Sequence, residues 1–155
     1  NIKAFKDYTV IEKELKFIKK NQIEVFTYLD KDYPTRLKHF NDAPLILFKK
    51  GKGDFNPHRS VAIVGTRSAT AKGKIICEEL VEGLKEYNVT IFSGLAYGID
   101  VTAHRKSLDL DMPTFGIVAH GLDRIYPTRH KKTAEQRASE DALNRIKPPL
   151  KVKSK

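Results

Sequence analysis

Three glycine-bearing turns, each directly after a short apolar stretch, carry the residues of this chain that are suited to bind an anion. They read Gly65-Thr66-Arg67, Ser93-Gly94-Leu95-Ala96-Tyr97-Gly98 and Gly121-Leu122-Asp123-Arg124. An arginine lies in each turn or close behind it, at Arg67, Arg105 and Arg124. Glycine lets a ligand approach the backbone closely, and arginine forms paired, charge-assisted hydrogen bonds with phosphate. The pattern therefore predicts a ligand that carries negative charge.

The first turn is expected to follow a strand and to open a helix. Its free amides, together with the hydroxyl groups of Thr66 and Ser68, would suit a phosphate group. Arg67 would add a bidentate contact to the same group. The alternative is an ordinary strand-to-helix turn with its arginine in solvent, and the turn taken alone does not decide between the two.

The second turn is bracketed by Gly94 and Gly98, four residues apart and just before a predicted helix. This spacing predicts a compact loop with several free amides. Tyr97 could stack on a base, as aromatic side chains do in single-strand binding, or pack over the sheet edge. His104 and Arg105, one turn into the helix, either extend this surface or are simply solvated.

The third turn leads from Arg124 into the basic run Arg129-His130-Lys131-Lys132. Successive cationic side chains after a ligand-facing turn are suited to follow a phosphate backbone. The alternative is the solvated start of a helix.

The elements that must position these turns repeat as strand, turn and helix from Ser60 onward. The apolar run 61–64 is typical of a strand buried on both faces. A helix is predicted from about Thr70 to Tyr87, and its buried stripe is expected at Ile76, Leu80, Leu84 and Tyr87. Further elements are predicted at 89–92 (strand), 99–108 (helix) and 114–118 (strand). This βαβαβ order predicts an α/β fold with a parallel sheet and right-handed crossovers, so all three turns lie at its carboxyl edge.

The chain divides into three stretches. Residues 1–56 form a small N-terminal α/β appendage and linker, with a helix at 10–20, an extended segment at 23–29 and a short strand at 45–48. Residues 57–136 hold the three turns. Residues 137–155 read as a basic tail. A parallel sheet of three strands leaves its edges open, so either further strands belong to the native protein or the N-terminal segment covers an edge. We expect the former, with the sheet unit as a partial domain.

The charge and composition narrow the function classes. The net charge is +10, with 13 basic against 8 acidic residues in 1–60, 7 against 8 in 61–128 and 9 against 3 in 129–155. The positive excess therefore lies in the flanks, which fits polyanion binding or solvated lysine-rich faces equally. No apolar run is long enough to span a bilayer, and the start of the chain carries no secretory signal pattern. A cytoplasmic protein with no membrane partner is expected.

Catalytic and cofactor patterns are weak. The first turn lacks the G-x-G-x-x-G spacing and the G-K-[ST] ending, so neither a dinucleotide nor an ATP cofactor is expected. The five histidines lack metal-ligand spacing, and Cys77 reads as core. Ser93, His120 and Asp100 or Asp123 could be drawn as a hydrolytic triad, but Ser93 does not lie in a G-x-S-x-G turn.

Six stretches in order carry a likeness to a known family. They are Tyr33-Pro34, Ala43-Pro44, Leu47-Phe48-Lys49-Lys50-Gly51, Val61-Ala62-Ile63-Val64-Gly65-Thr66-Arg67, the run from Ser93 to Asp100 and the run from Gly121 to Pro127. Together they closely resemble the DNA-processing protein A (DprA/Smf) family of bacterial natural transformation, over about residues 30–132. The family's later strands and Arg-Asn-Arg segment have no counterpart in this sequence.

The resemblance implies a Rossmann-like domain that binds single-stranded DNA without sequence preference. It further implies protection of incoming DNA, loading of the RecA recombinase, a homodimer in the full-length protein and no catalytic activity. The DNA-binding positions carried over are Gly65, Arg67, Ser93, Gly94, Gly98 and Arg124, with Lys131 and Lys132 following by position. Thr66, Ser68, Tyr97 and Arg105 complete the predicted surface. The alternative is a nucleotide or phosphoribosyl hydrolase on a related fold.

Overall fold

A computed structural model describes residues 8–123 of the chain. The chain separates into two compact units, Asn1–Asn56 and Pro57–Lys155. The elements are α1 (Thr9–Lys20), β1 (Ile23–Thr27), β2 (Ile46–Lys50), β3 (Ser60–Ala62), α2 (Ala71–Leu84), β4 (Thr90–Gly94), α3 (Ile99–Asp109) and β5 (Thr114–Ile117). None of the helices within 8–123 combines the length and the apolar character that a bilayer span requires.

The first unit is built on the antiparallel pair β1 and β2. Tyr33 is completely buried, and its hydroxyl donates a hydrogen bond of 2.6 Å to the carbonyl oxygen of Pro44. Lys49 forms a 3.0 Å ion pair with Glu24. The Tyr33-Pro34 and Ala43-Pro44 stretches, two of the six that carry the family resemblance, are thus tied together by one buried tyrosine.

The second unit is built on a sheet with the strand order β3, β4, β5, all parallel. The strands are added in one direction along the sheet, so right-handed crossovers put α2 and α3 on the same face. The two helices contact each other, and an ion pair of 2.8 Å joins Lys106 of α3 to Glu82 of α2. The predicted α/β fold with flanking helices is confirmed. The core between sheet and helices contains Ile63, Cys77, Val81, Val89, Ile91, Ala103 and Met112.

Two predictions about burial are wrong. Of the predicted stripe, Leu84 does pack against the core, but Ile76 and Leu80 are 54% and 52% exposed and Tyr87, just beyond α2, is 57% exposed. The buried residues of α2 are instead Cys77 and Val81. The helix carries two overlapping apolar rows at i, i+4 spacing, and the pattern alone does not say which row faces the sheet.

The run 61–64 is also not buried on both faces. Val64 is 76% exposed, and Ala62 is exposed as well. Since α2 and α3 both cover one face of the sheet, side chains that alternate to the other face have no helix from residues 57–123 of the second unit over them. These apolar residues are therefore less buried than their sequence pattern predicts.

Candidate nucleic-acid interface

The parallel register brings the ends of the three strands to one edge of the sheet. Ala62 pairs with Phe92, and Gly94 pairs with Ile117, so the chain leaves β3, β4 and β5 at the same side. The predicted convergence of the turns at the carboxyl edge is confirmed for the part that the structure describes. Gly121, Leu122 and Asp123 of the third turn are described, whereas Arg124, Lys131 and Lys132 lie outside the described residues.

The first turn is an exposed loop. Gly65, Thr66, Arg67 and Ser68 all face solvent. The backbone amide of Ser68 donates a 3.2 Å hydrogen bond to the Thr66 hydroxyl oxygen, which folds the turn on itself. One guanidinium and two hydroxyl groups are thus presented together, and these are the donors that phosphate oxygens accept.

This loop does not open the helix directly, which corrects the sequence-based expectation. The helix α2 begins at Ala71, and its N-cap Thr70 accepts a 3.1 Å hydrogen bond from the amide of Gly73. The amide of Gly65 donates to the carboxylate of Asp100 at 3.2 Å. The Gly65 amide therefore already has an acceptor within the protein, and it is not a free donor for a phosphate at this turn.

The second turn is folded against the first. The amide of Ile99 donates a 3.2 Å hydrogen bond to the carbonyl oxygen of Thr66. Gly98 has a φ of +79°, and a Cβ there would lie 2.1 Å from the same carbonyl oxygen. Glycine is therefore required at this position both for its backbone conformation and for its close contact with the first turn.

Ser93 and Tyr97 are less accessible than a binding surface needs. Ser93 is 4% exposed, and its hydroxyl donates to the carbonyl oxygen of Ile63, linking β4 to the end of β3. The hydroxyl oxygen of Tyr97 is buried and its side chain is only partly exposed, which favours packing over base stacking. Ser93 is removed from the predicted surface because its position on β4 turns it toward the interior.

The helix α3 separates His104 from Arg105. Arg105 is exposed, as a solvent-facing DNA contact requires. His104 is completely buried, and its Nδ1 lies 2.7 Å from the Thr114 hydroxyl oxygen. Both sequence-based alternatives for His104, surface and solvated, are therefore wrong. Adjacent residues of a helix differ by about 100° in direction, so one can be buried while the next is exposed.

Burial lowers the pKa of His104 to about 4, because the protein interior disfavours the imidazolium. The Asp100 carboxylate and the backbone carbonyl groups of Ser93 and Gly94 act in the opposite direction and are outweighed. Among the described residues, its Nε2 is buried without a hydrogen bond of ordinary geometry. His104 is thus a neutral interior residue at neutral pH.

The groups considered for catalysis are engaged elsewhere. The hydroxyl of Ser93 donates to a backbone carbonyl rather than to a histidine, and Asp100 accepts from Gly65. Burial raises the pKa of the Cys77 thiol, as expected for an inert core cysteine. Within residues 8–123 no cluster of three or more histidine, cysteine or carboxylate side chains is arranged to hold a metal ion.

The sequence did not predict the role of Asp100 at this edge. Its place in the first turn of α3 was evident, and it does lie at the positive end of that helix. Its burial and its bond to Gly65, 35 residues earlier, were not evident. The signal that could have found it is an acidic residue directly after a glycine-rich strand-to-helix turn.

Comparisons with known proteins converge on one family. The family model described as DNA recombination-mediator protein A matches residues 24–146. The DNA processing protein DprA of Streptococcus pneumoniae is 39% identical over 107 residues, which cover 69% of this chain and 38% of that protein. The Bacillus subtilis DNA processing protein DprA is 33% identical over 143 residues, which cover 92% of this chain and 48% of the relative.

The fold comparison agrees. The X-ray structure of DNA processing protein A from Streptococcus pneumoniae superposes with a TM-score of 0.63 at 30% sequence identity. The match covers 89% of this chain and 49% of that structure. The chain therefore spans less than half the length of these relatives, and its described sheet unit has a Rossmann-like relative of known structure.

Proposed function

The chain belongs to the DNA recombination-mediator protein A family, and on that premise we propose that it binds single-stranded DNA across the carboxyl edge of its parallel sheet. Such binding would serve DNA processing in transformation and recombination. The relatives named DNA processing protein DprA support this role. The edge itself supports an anionic ligand through its exposed arginine and hydroxyl groups.

The observation that carries the proposal is the exposed first turn held in place by the second. Thr66, Arg67 and Ser68 face solvent, while Thr66 is fixed through its carbonyl oxygen to the amide of Ile99. Contacts from such side chains go to phosphate oxygens, and phosphate contacts carry no direct sequence information. Binding without sequence preference is therefore expected.

The full-length protein is proposed to do more than this chain. Protection of incoming DNA, delivery to the RecA recombinase, a homodimeric state, action in the cytoplasm and the lack of catalytic activity all belong to the proposal. Family membership supports them, and this chain covers only 38% and 48% of the two relatives compared above. Arg124, Lys131 and Lys132 remain proposed phosphate contacts outside the described residues.

The proposal is tested by fluorescence anisotropy with labelled oligo-dT and with a duplex of equal length at two salt concentrations. We expect tighter binding to the single strand. For a single strand, log K should fall with log salt by about 0.7 per phosphate neutralised. Equal affinity for both forms, or no binding to either, would contradict the proposed function.

Replacing Arg67 by alanine tests the first turn directly. Loss of one charge-assisted contact should weaken binding by about 1–2 kcal/mol, or about 5- to 30-fold, and make the salt dependence shallower by about 0.7. The matched control is Arg59→Ala, which removes an exposed arginine just before the amino end of β3. If both variants lose affinity equally, the carboxyl edge is not the binding surface.

The alternative of a nucleotide or phosphoribosyl hydrolase has weaker support. Such an enzyme needs a carboxylate free to activate water, and the buried carboxylate at this edge, Asp100, accepts a hydrogen bond from Gly65. Incubation with nucleoside monophosphates followed by chromatography for released base separates the two functions. Released base that disappears in Asp100→Asn would favour the enzyme.

A further inference from the structure

We propose that Asp100 is the positioning residue of the DNA-binding edge, because its buried carboxylate holds the Arg67-bearing turn in the orientation that meets the phosphate backbone. This inference rests on the proposed function and goes beyond it. Asp100 itself is not exposed to a ligand, since only 5% of its surface is accessible. Its effect on binding would act through the first turn.

The carboxylate of Asp100 lies between the first two turns. Its Oδ1 accepts the hydrogen bond from the Gly65 amide at 3.2 Å. Its Oδ2 lies so close to Gly94 that a Cβ built on that glycine would be 2.6 Å away. One side chain thus contacts the glycine that follows β3 and the glycine that ends β4. It sets the spacing between the two turns.

The residues just before Asp100 strengthen the same junction. Gly98 packs its Cα against the carbonyl groups of Thr66 and Arg67, and Ile99 donates its amide to Thr66. A Cβ on Gly65 would lie 2.7 Å from the Cβ of Ile99. The backbone on either side of the Arg67 side chain is therefore held from the start of α3. Within this junction, Asp100 provides the side-chain hydrogen bond to the first turn, which substitution can remove without changing a glycine.

The negative charge of Asp100 makes it possible to separate a positioning role from a purely electrostatic one. A carboxylate at a phosphate-binding edge repels the ligand, so removing it should tighten binding if electrostatics alone acted. If the hydrogen bond to Gly65 positions the turn, removing the acceptor should weaken binding instead. The two explanations predict opposite signs for the same substitution.

The experiment compares Asp100→Ala, Asp100→Asn and the control Asp109→Ala in the full chain. Asparagine removes the charge but keeps an oxygen that can accept from Gly65, whereas alanine removes both. Asp109 lies exposed in the last turn of the same helix. Two quantities are measured: hydrogen exchange of the Gly65 amide without DNA, by NMR, and affinity for labelled oligo-dT.

We expect Asp100→Ala to lose protection of the Gly65 amide and to bind oligo-dT about fivefold more weakly or worse. Asp100→Asn should keep protection and bind within about twofold of the wild type, and Asp109→Ala should bind at least as tightly as the wild type. In a double-mutant cycle, Asp100→Ala should have little further effect once Arg67 is alanine, because it acts through that turn.

Unchanged Gly65 exchange in Asp100→Ala, or tighter binding by it, overturns the positioning role. Loss of affinity in Asp100→Asn with Gly65 still protected does so too, and this variant decides the matter if the alanine variant does not fold. Absence of binding by the wild type overturns the proposed function instead. In that case Gly65 exchange still decides whether Asp100 holds the turn.

Discussion

The first and second glycine turns lie side by side at one sheet edge, yet they differ in what they expose. Gly65 to Ser68 face solvent, whereas Ser93, Gly98 and Asp100 are buried. Both turns read as phosphate-binding loops in the sequence. The structure divides the work between them, since the first presents side chains and the second holds the first in place.

The difference follows from where each turn connects. The first is an eight-residue loop, 63–70, between the end of β3 and the start of α2. The second joins β4 to α3 in four residues, 95–98, and β4 is the middle strand of the described sheet. A short connection beside a central strand has neighbours on both sides, so Gly98 is buried and Leu95, Ala96 and Tyr97 are half-buried. A longer loop from an outer strand reaches solvent.

The largest expected effect comes from adding a side chain to Gly98 in the second glycine turn, which holds the first turn in place. Gly98→Ala should lower the free energy of unfolding by about 3 kcal/mol, because its φ of +79° is unfavourable for alanine and its Cβ would meet the Thr66 carbonyl. Urea denaturation measures the change. If the variant is as stable as the wild type, the two turns are not in contact.

The matched control is Gly83→Ala. This glycine lies inside α2, and a Cβ there would have no atom within 4 Å. Alanine favours the helix over glycine, so the variant should gain about 0.5–1 kcal/mol in stability. Opposite signs at the two glycines would sharpen the distinction between a glycine that a contact requires and one that it does not.

The next largest effect is a loss of stability in acid that comes from His104, on the helix α3 that follows the second glycine turn. Its pKa is about 4 when folded, against about 6.5 when unfolded. The unfolded state therefore binds the proton more tightly. The contribution of neutral His104 is present above about pH 6.5 and is lost as pH falls toward 4. Between about pH 7 and 5 the free energy of unfolding should drop by about 2 kcal/mol from this group.

Comparison with His104→Leu isolates that contribution. The variant should be less sensitive to pH over this range, whatever its stability at pH 7, because the titrating group is gone. His120→Leu serves as the control, since His120 is exposed. Equal pH dependence in the wild type and His104→Leu would contradict the buried, neutral state of His104.

The smallest of the three expected effects separates a residue that stabilises the sheet edge, Ser93, from one that contacts DNA, Arg67. Ser93→Ala removes the hydroxyl that donates to Ile63 and should cost about 1 kcal/mol of stability. Affinity for oligo-dT should be unchanged, unlike in Arg67→Ala. If a stable Ser93→Ala variant binds DNA poorly, Ser93 belongs to the DNA-binding surface, and the second turn does not only hold the first in place.

The elements themselves were predictable from local pattern. The helix expected over about 70–87 corresponds to α2 and the short 3-10 turn Lys85–Tyr87 after it. The helix expected over 99–108 corresponds to α3. Apolar spacing, glycine and proline are local properties, so they report helices, strands and their ends. The same properties identified Arg67 as an exposed candidate.

The faces of the elements were not predictable in the same way. Ile76 and Cys77 are both apolar neighbours on α2, and only the packing of the sheet and α3 selects Cys77 for the core. His104 and Arg105 are both polar neighbours, and only the position of β5 explains why His104 is buried beside Thr114. Burial depends on what lies across from a residue, which is a property of distant sequence.

The sequence by itself determined the βαβαβ order, the place of the glycine turns at the carboxyl edge and the family to which they belong. Short-range spacing and the handedness of crossovers are sufficient for these. Only the tertiary structure decided that the Gly65 amide is bonded to Asp100. It also decided that the first turn exposes its side chains to solvent while the second turn holds the first in place. These contacts join residues about 35 positions apart, and they form only when the parallel strands pair.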